Sequence, residues 1–145
     1  SQIRTGDIAM FRGRTLFSRL ISIWTRSPYT HVGIFIWLEF AGTRRLVVME
    51  ALEGRGVFPS PMSRVLERKG QVEWFQLIGP NLNRHAGAGF ALGEWGRPYA
   101  SAWQFIRSFG IVAKLLRLQA VDTDEHRWFC SEFAAEYLHK TGYRS

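Results

Sequence analysis

The alternation of apolar and polar positions divides this chain into a strand-rich first half and a helical second half. Gly6-Asp7-Ile8-Ala9-Met10-Phe11 follows a turn signal and reads as a short strand. Arg12 to Ser27 carries Leu16, Phe17, Leu20, Ile21 and Trp24 at helical spacing, which predicts an amphipathic helix stopped by Ser27-Pro28. Val32 to Leu38 is an almost unbroken apolar run suited to a central strand, and Leu46-Val47-Val48-Met49-Glu50 returns beside it. Glu39 to Arg45, with Gly42 inside it, is the turn of an antiparallel hairpin. Arg55 to Pro59 predicts a further extended segment, Ser60 to Gly70 a polar connection, and Val72 to Leu77 another strand.

Beyond Gly79-Pro80 the spacing turns helical. Asn81 or Asn83 caps a segment running to Trp95, in which Gly87, Gly89 and Gly93 suggest close packing on a neighbour. After the Gly96-Arg97-Pro98-Tyr99 break, Ser101 to Gln119 predicts a long helix with more apolar surface than one core contact needs. Val121 to Arg127 is an acidic linker. The last helix starts at Cys130 and ends at Thr141-Gly142. With no internal repeat, low-complexity tract or domain boundary, residues 1–145 read as one compact domain.

Composition narrows the chemistry. A chain of 145 residues with 46% hydrophobic content can bury a real core. Its single cysteine excludes a disulfide framework and a Cys-rich zinc site, and no histidine pair has metal-ligand spacing, so no metal and no cofactor is expected. A formal charge of +7 favours contact with an anionic membrane or cell-wall surface. The basic residues are scattered, without a dense tail, a helix-turn-helix pattern or zinc-finger spacing, which argues against a nucleic-acid partner. No apolar run reaches membrane-spanning length, and Ser1-Gln2-Ile3-Arg4 lacks a signal-peptide core, so a soluble chain is expected and its compartment stays open.

That single cysteine, Cys130, stands at a helix head, where the backbone dipole favours a thiolate. It shares a stripe with Phe133, Ala134 and Tyr137, so it could equally fill core space. A reactive thiol needs a base and an orienting partner. His31 opens the central strand, and a turn centred near Phe40-Ala41 would set Glu50 directly across from it. His126 is a rival base, whereas His85 and His139 read as solvated.

Four blocks in order carry a resemblance: Thr5-Gly6-Asp7-Ile8, Ser27 to Ile34, Val48-Met49-Glu50-Ala51 and Phe129-Cys130-Ser131-Glu132-Phe133. Together they resemble the NlpC-like papain-fold cysteine hydrolases, and in particular the circularly permuted branch that includes YiiX/YebB-like proteins and the lecithin:retinol acyltransferase-like group. Gly96-Arg97-Pro98-Tyr99 matches a Gly-x-Pro-Tyr motif of the unpermuted relatives and implies that Tyr99 lies beside the thiol. The resemblance implies an α+β papain-like core, the Cys130 helix packed against an antiparallel sheet that carries His31 and Glu50, with Cys130 as nucleophile, His31 as general base and then acid, and Glu50 as orienting residue. It further implies a hydrolase that cleaves an amide or ester through an acyl-enzyme, on a cell-wall peptide, a lipid acyl group or a protein side-chain amide; the aromatic richness, the apolar 101–119 helix and the basic charge favour a lipid or cell-envelope substrate. The other expectation is a non-catalytic lipid- or envelope-binding domain on the same scaffold.

Overall fold

The computed structural model describes residues 2–13, 28–52, 54–68, 70–98 and 130–143, and of Cys130 and Ser131 the backbone. Within them run β1 (Ile8–Gly13), β2 (His31–Phe40), β3 (Thr43–Leu52), β4 (Gly56–Pro61), α1 (Met62–Leu66), β5 (Gly70–Phe75), α2 (Arg84–Gly93) and α3 (Cys130–Lys140). The five strands form one antiparallel sheet in the order β4-β3-β2-β1-β5. The α+β architecture is therefore as expected. Arg12 and Gly13 belong to β1 rather than to a helix, and α1 stands where a polar connection was expected. The rest of the expected 12–27 helix and all of the 101–119 helix lie outside the described residues, as do Tyr99 and His126.

The β2–β3 hairpin fixes the geometry. Its turn is only Ala41-Gly42, with φ of 49° and 72°, a primed two-residue turn whose twist matches that of the strands. Phe40 therefore pairs with Thr43, and Gly33 with Glu50. The expectation that His31 stands directly across from Glu50 placed the turn one residue too early. Moving its centre by one residue shifts every pair by two positions, so His31 is a diagonal neighbour of Glu50. Because the shift is an even number, both side chains keep the same face.

Alternation along the strands builds two apolar faces. Ile34, Ile36, Val47, Met49 and Ala51 meet Ala88 and Ala91 of α2 and Phe133 and Tyr137 of α3. On the other face Ala9, Phe35 and Val48 pack with Val65 of α1, bordered by Phe11, Met62, Val72 and Trp74. Helix α2 starts at the Asn83 cap, whose Oδ1 accepts from Ala86 N at 2.9 Å. The close packing expected of its glycines is specific to Gly87: a Cβ there would run into Thr141 and the Tyr137 ring, while Gly89 and Gly93 face open space. Helix α3 ends at Thr141-Gly142 as expected, with Gly142 at φ 73° and its N–H donating to His139 O at 3.0 Å.

Candidate functional site

His31 and Glu50 meet at one end of the sheet. His31 Nε2 lies 2.7 Å from Glu50 Oε2, and Glu50 is fully buried. The diagonal contact works because Gly33 sits between them: a Cβ there would approach Val48 Cγ1 to 2.5 Å and Glu50 Cβ to 3.4 Å. Phe11, the cross-strand partner of His31, lays its ring 5.1 Å from the imidazole, centroid to centroid. The hairpin thus brings together two of the expected site residues.

Two further residues complete the arrangement. Just beyond α1, Arg68 reaches back over the same face, its Nη1 donating to Glu50 Oε2 at 2.9 Å and its Nη2 standing 2.6 Å from Oε1. The second contact is ionic and poorly aligned as a hydrogen bond, and Nη2 also donates to Ser60 Oγ at 3.0 Å. Burial raises the pKa of Glu50, but hydrogen bonds from His31 and Arg68, the charge of His31 and the Ser60 hydroxyl outweigh it and bring the pKa down to about 2. Glu50 is therefore ionised at neutral pH and can only accept. It follows that Nε2 of His31 carries a proton, and in the neutral ring the lone pair sits on Nδ1. Sequence reasoning counted Arg68 merely among scattered basic residues, and Ser60 as loop. The Pro59-Ser60-Pro61 run was the available signal, since two prolines mark an edge strand.

A cleft of about 590 Å³ opens beside His31, lined by Phe11, Thr30, Val65, Arg68, Val72 and Glu73 among others. At its rim Glu73 is bound by Arg12 Nε at 2.6 Å and by the Tyr29 hydroxyl at 2.8 Å. Helix α3 meets the sheet through Phe133 and Tyr137 on the face opposite to His31 and Glu50. His31 is the first residue of β2, so a group at the N-terminus of α3 would approach its ring around the strand end rather than through the sheet. The Cys130 thiol lies outside what is described. His85 and His139 are exposed, as the sequence led us to expect.

Helix α3 is anchored by a second polar cluster. Asp7, fully buried just ahead of β1, accepts from Arg4 N at 2.9 Å, Trp74 Nε1 at 2.8 Å, Leu77 N at 3.2 Å and Arg84 Nη1 at 2.9 Å. Arg84 also donates to the carbonyls of Thr5 and Leu77. Burial opposes the charge of Asp7, yet these donors hold its pKa below the usual carboxylate value. Tyr137, whose pKa burial pushes up to about 12, donates its hydroxyl to Gly6 O at 3.0 Å.

The described residues thus make an α+β domain with a His–Glu–Arg cluster at the end of a five-stranded antiparallel sheet. Among solved structures it is similar to the crystal structure of metalloprotein yiiX from Escherichia coli O157:H7, with a TM-score of 0.68 and 20% identity over 97% of this chain and 67% of that one. At that identity the likeness is one of fold. No protein-family model matches the chain, and no curated protein matches it. The description of that neighbour prompts a test for metal ligands. Among the described residues no group of three or more His, Cys, Asp or Glu side chains could hold a metal ion. The carboxylate of the buried His31–Glu50 pair is covered by the Arg68 guanidinium, whose charge disfavours a cation there. These residues do not fit a resident metal, and no step below passes through one.

Proposed function

We propose that this protein is a thiol hydrolase with a permuted papain-like arrangement, in which Cys130 is the nucleophile, His31 the base and Glu50 the group that orients His31. The observation that carries this reading is the His31 Nε2–Glu50 Oε2 contact of 2.7 Å, with a fully buried carboxylate behind a histidine that lines a cleft. Nδ1 of His31 takes the proton of the Cys130 thiol as sulfur attacks the carbonyl carbon. Backbone N–H groups at the head of α3, among them that of Cys130, hold the oxyanion. The imidazolium, stabilised by Glu50, then returns the proton to the departing amine or alcohol as its bond to carbon breaks. Water, deprotonated by His31, cleaves the resulting thioester and releases the acid and the thiol.

A mixed cleft, with Phe11, Val65 and Val72 beside Arg12, Arg68 and Glu73, suits a substrate with both an apolar and a polar part. A cell-wall peptide or a lipid-linked acyl group meets that description. The test is alkylation of Cys130 by a thiol-directed probe across pH, together with turnover of model amide and ester substrates. The expected result is labelling faster than that of a free thiol, lost in His31→Ala, and turnover abolished in Cys130→Ser. Labelling no faster than a free thiol, unchanged in His31→Ala, would overturn the proposal and leave a non-catalytic envelope-binding domain as the reading.

A further inference from the structure

The opposite end of the sheet holds a second cleft, of about 530 Å³, between the Gln2–Thr5 segment and the side chains of Arg44, Arg84 and His85. Thr5 Oγ1 accepts from Trp37 N at 3.0 Å, which sets this cleft six residues along β2 from His31, or about 20 Å. Three arginines and a histidine face it, and among the described residues lining it none is acidic. Arg84 is neutralised from beneath by Asp7 at 2.9 Å. Arg4 and Arg44 are different: neither has an ion-pair partner among the described residues. The guanidinium carbon of Arg44 lies 4.7 Å from the centroid of the Trp37 ring, a stacked position that holds the group without consuming its N–H donors.

Two like charges gathered in one concavity repel each other unless an anion joins them. With Arg84 satisfied, the two remaining guanidiniums, of which Arg44 has Glu39 as its cross-strand neighbour, leave a net positive charge that suits a phosphate monoester. Arg84 and His85 are also the first two residues of α2, a ten-residue helix whose positive end adds to the attraction. We propose that this cleft binds a phosphate monoester, either free or as the head group of a phospholipid. Such a site would dock the domain or an effector at a distance from the His31 cluster, and it does not depend on the catalytic reading.

The experiment uses the full chain. Calorimetry with inorganic phosphate, against chloride at constant ionic strength, reads the free anion. Co-sedimentation with phosphatidylcholine vesicles containing phosphatidic acid, against vesicles of equal surface charge made with phosphatidylserine, reads the head group. We expect saturable binding in at least one arm, and the arm that responds names the source. Arg4→Gln with Arg44→Gln should weaken it about a hundredfold, near tenfold for each lost charged contact. Arg55→Gln with Arg64→Gln removes the same charge elsewhere and should change it by less than about twofold. Should the double variant not fold, each single variant is expected to lose about tenfold. No saturable binding in either arm, or an equal loss in the Arg55/Arg64 control, would overturn the proposal.

Discussion

Glu50 and Asp7 are both fully buried, both meet an arginine, and both are held ionised by their neighbours, yet their partners differ in kind. The donors around Asp7 are two backbone N–H groups, an indole and a guanidinium, none of which changes charge near neutral pH. They come from residues 4, 74, 77 and 84, so Asp7 ties distant parts of the chain to the start of β1. Glu50 shares an oxygen with a histidine whose ring borders a cleft. A carboxylate ringed by fixed donors can only hold a fold together. A carboxylate bonded to a titratable ring can also stabilise that ring when it gains a proton. The two sites lie about four residues apart along β1, roughly 13 Å.

The largest expected effect is on the structural side. Asp7→Ala removes the partner of a half-buried guanidinium, an indole and two backbone N–H groups, and should destabilise the protein by about 3–5 kcal/mol in urea unfolding. Thiol reactivity per folded molecule should barely change; a fall in reactivity beyond the unfolded fraction would mean the two clusters are coupled. Acid titration comes next. Because the folded pKa of Glu50 is depressed to about 2, its contribution is fully present above about pH 4.5 and is lost as pH falls towards 2. The loss amounts to about 3 kcal/mol at most, and Glu50→Gln should flatten that limb, leaving the smaller slope of Asp7, which has the same sign.

At neutral pH, Glu50→Gln should lose about 2 kcal/mol of stability, with turnover falling ten- to a hundredfold. Equal losses of stability in Glu50→Gln and Asp7→Asn, with turnover intact in both, would erase the functional distinction between the two carboxylates. Gly33→Ala drives a methyl against Val48 and Met49 O, and should destabilise by about 1–2 kcal/mol while prising His31 from Glu50. A pH–rate profile altered in Gly33→Ala would show that the diagonal gap matters to the pair. The smallest effect is that of Arg64→Ala at the exposed Arg64–Glu67 pair, below about 0.5 kcal/mol by thermal melting.

Much of this was legible in the chain because the signals were local. The hairpin, the Asn83 cap and the Gly142 stop each follow from a few adjacent residues, and Phe133, Ala134 and Tyr137 are buried as their spacing requires. Co-facing of His31 and Glu50 was also readable, since parity survives a turn misplaced by one residue. The register was not, because the tight turn runs through Ala41, a residue that carries no preference for positive φ. Arg68 and Ser60 escaped notice for a different reason. Their partner lies 18 and 10 positions away, and nothing in an arginine's identity says which carboxylate it will meet. Asp7 was read as one letter of a strand, since its donors are spread over eighty residues.

The Ala41-Gly42 turn has a consequence for how this gene could vary. Substitutions at the tip are absorbed there: Asn or Asp in place of Ala41 would suit its backbone better than alanine does. Length is another matter. Deleting Gly42 without a compensating bulge would slide β3 by one residue against β2, turning Glu50 toward the helices and Met49 toward His31. The tip can be respelled without moving the site, while its length sets where a histidine at the far end of the strand meets its carboxylate.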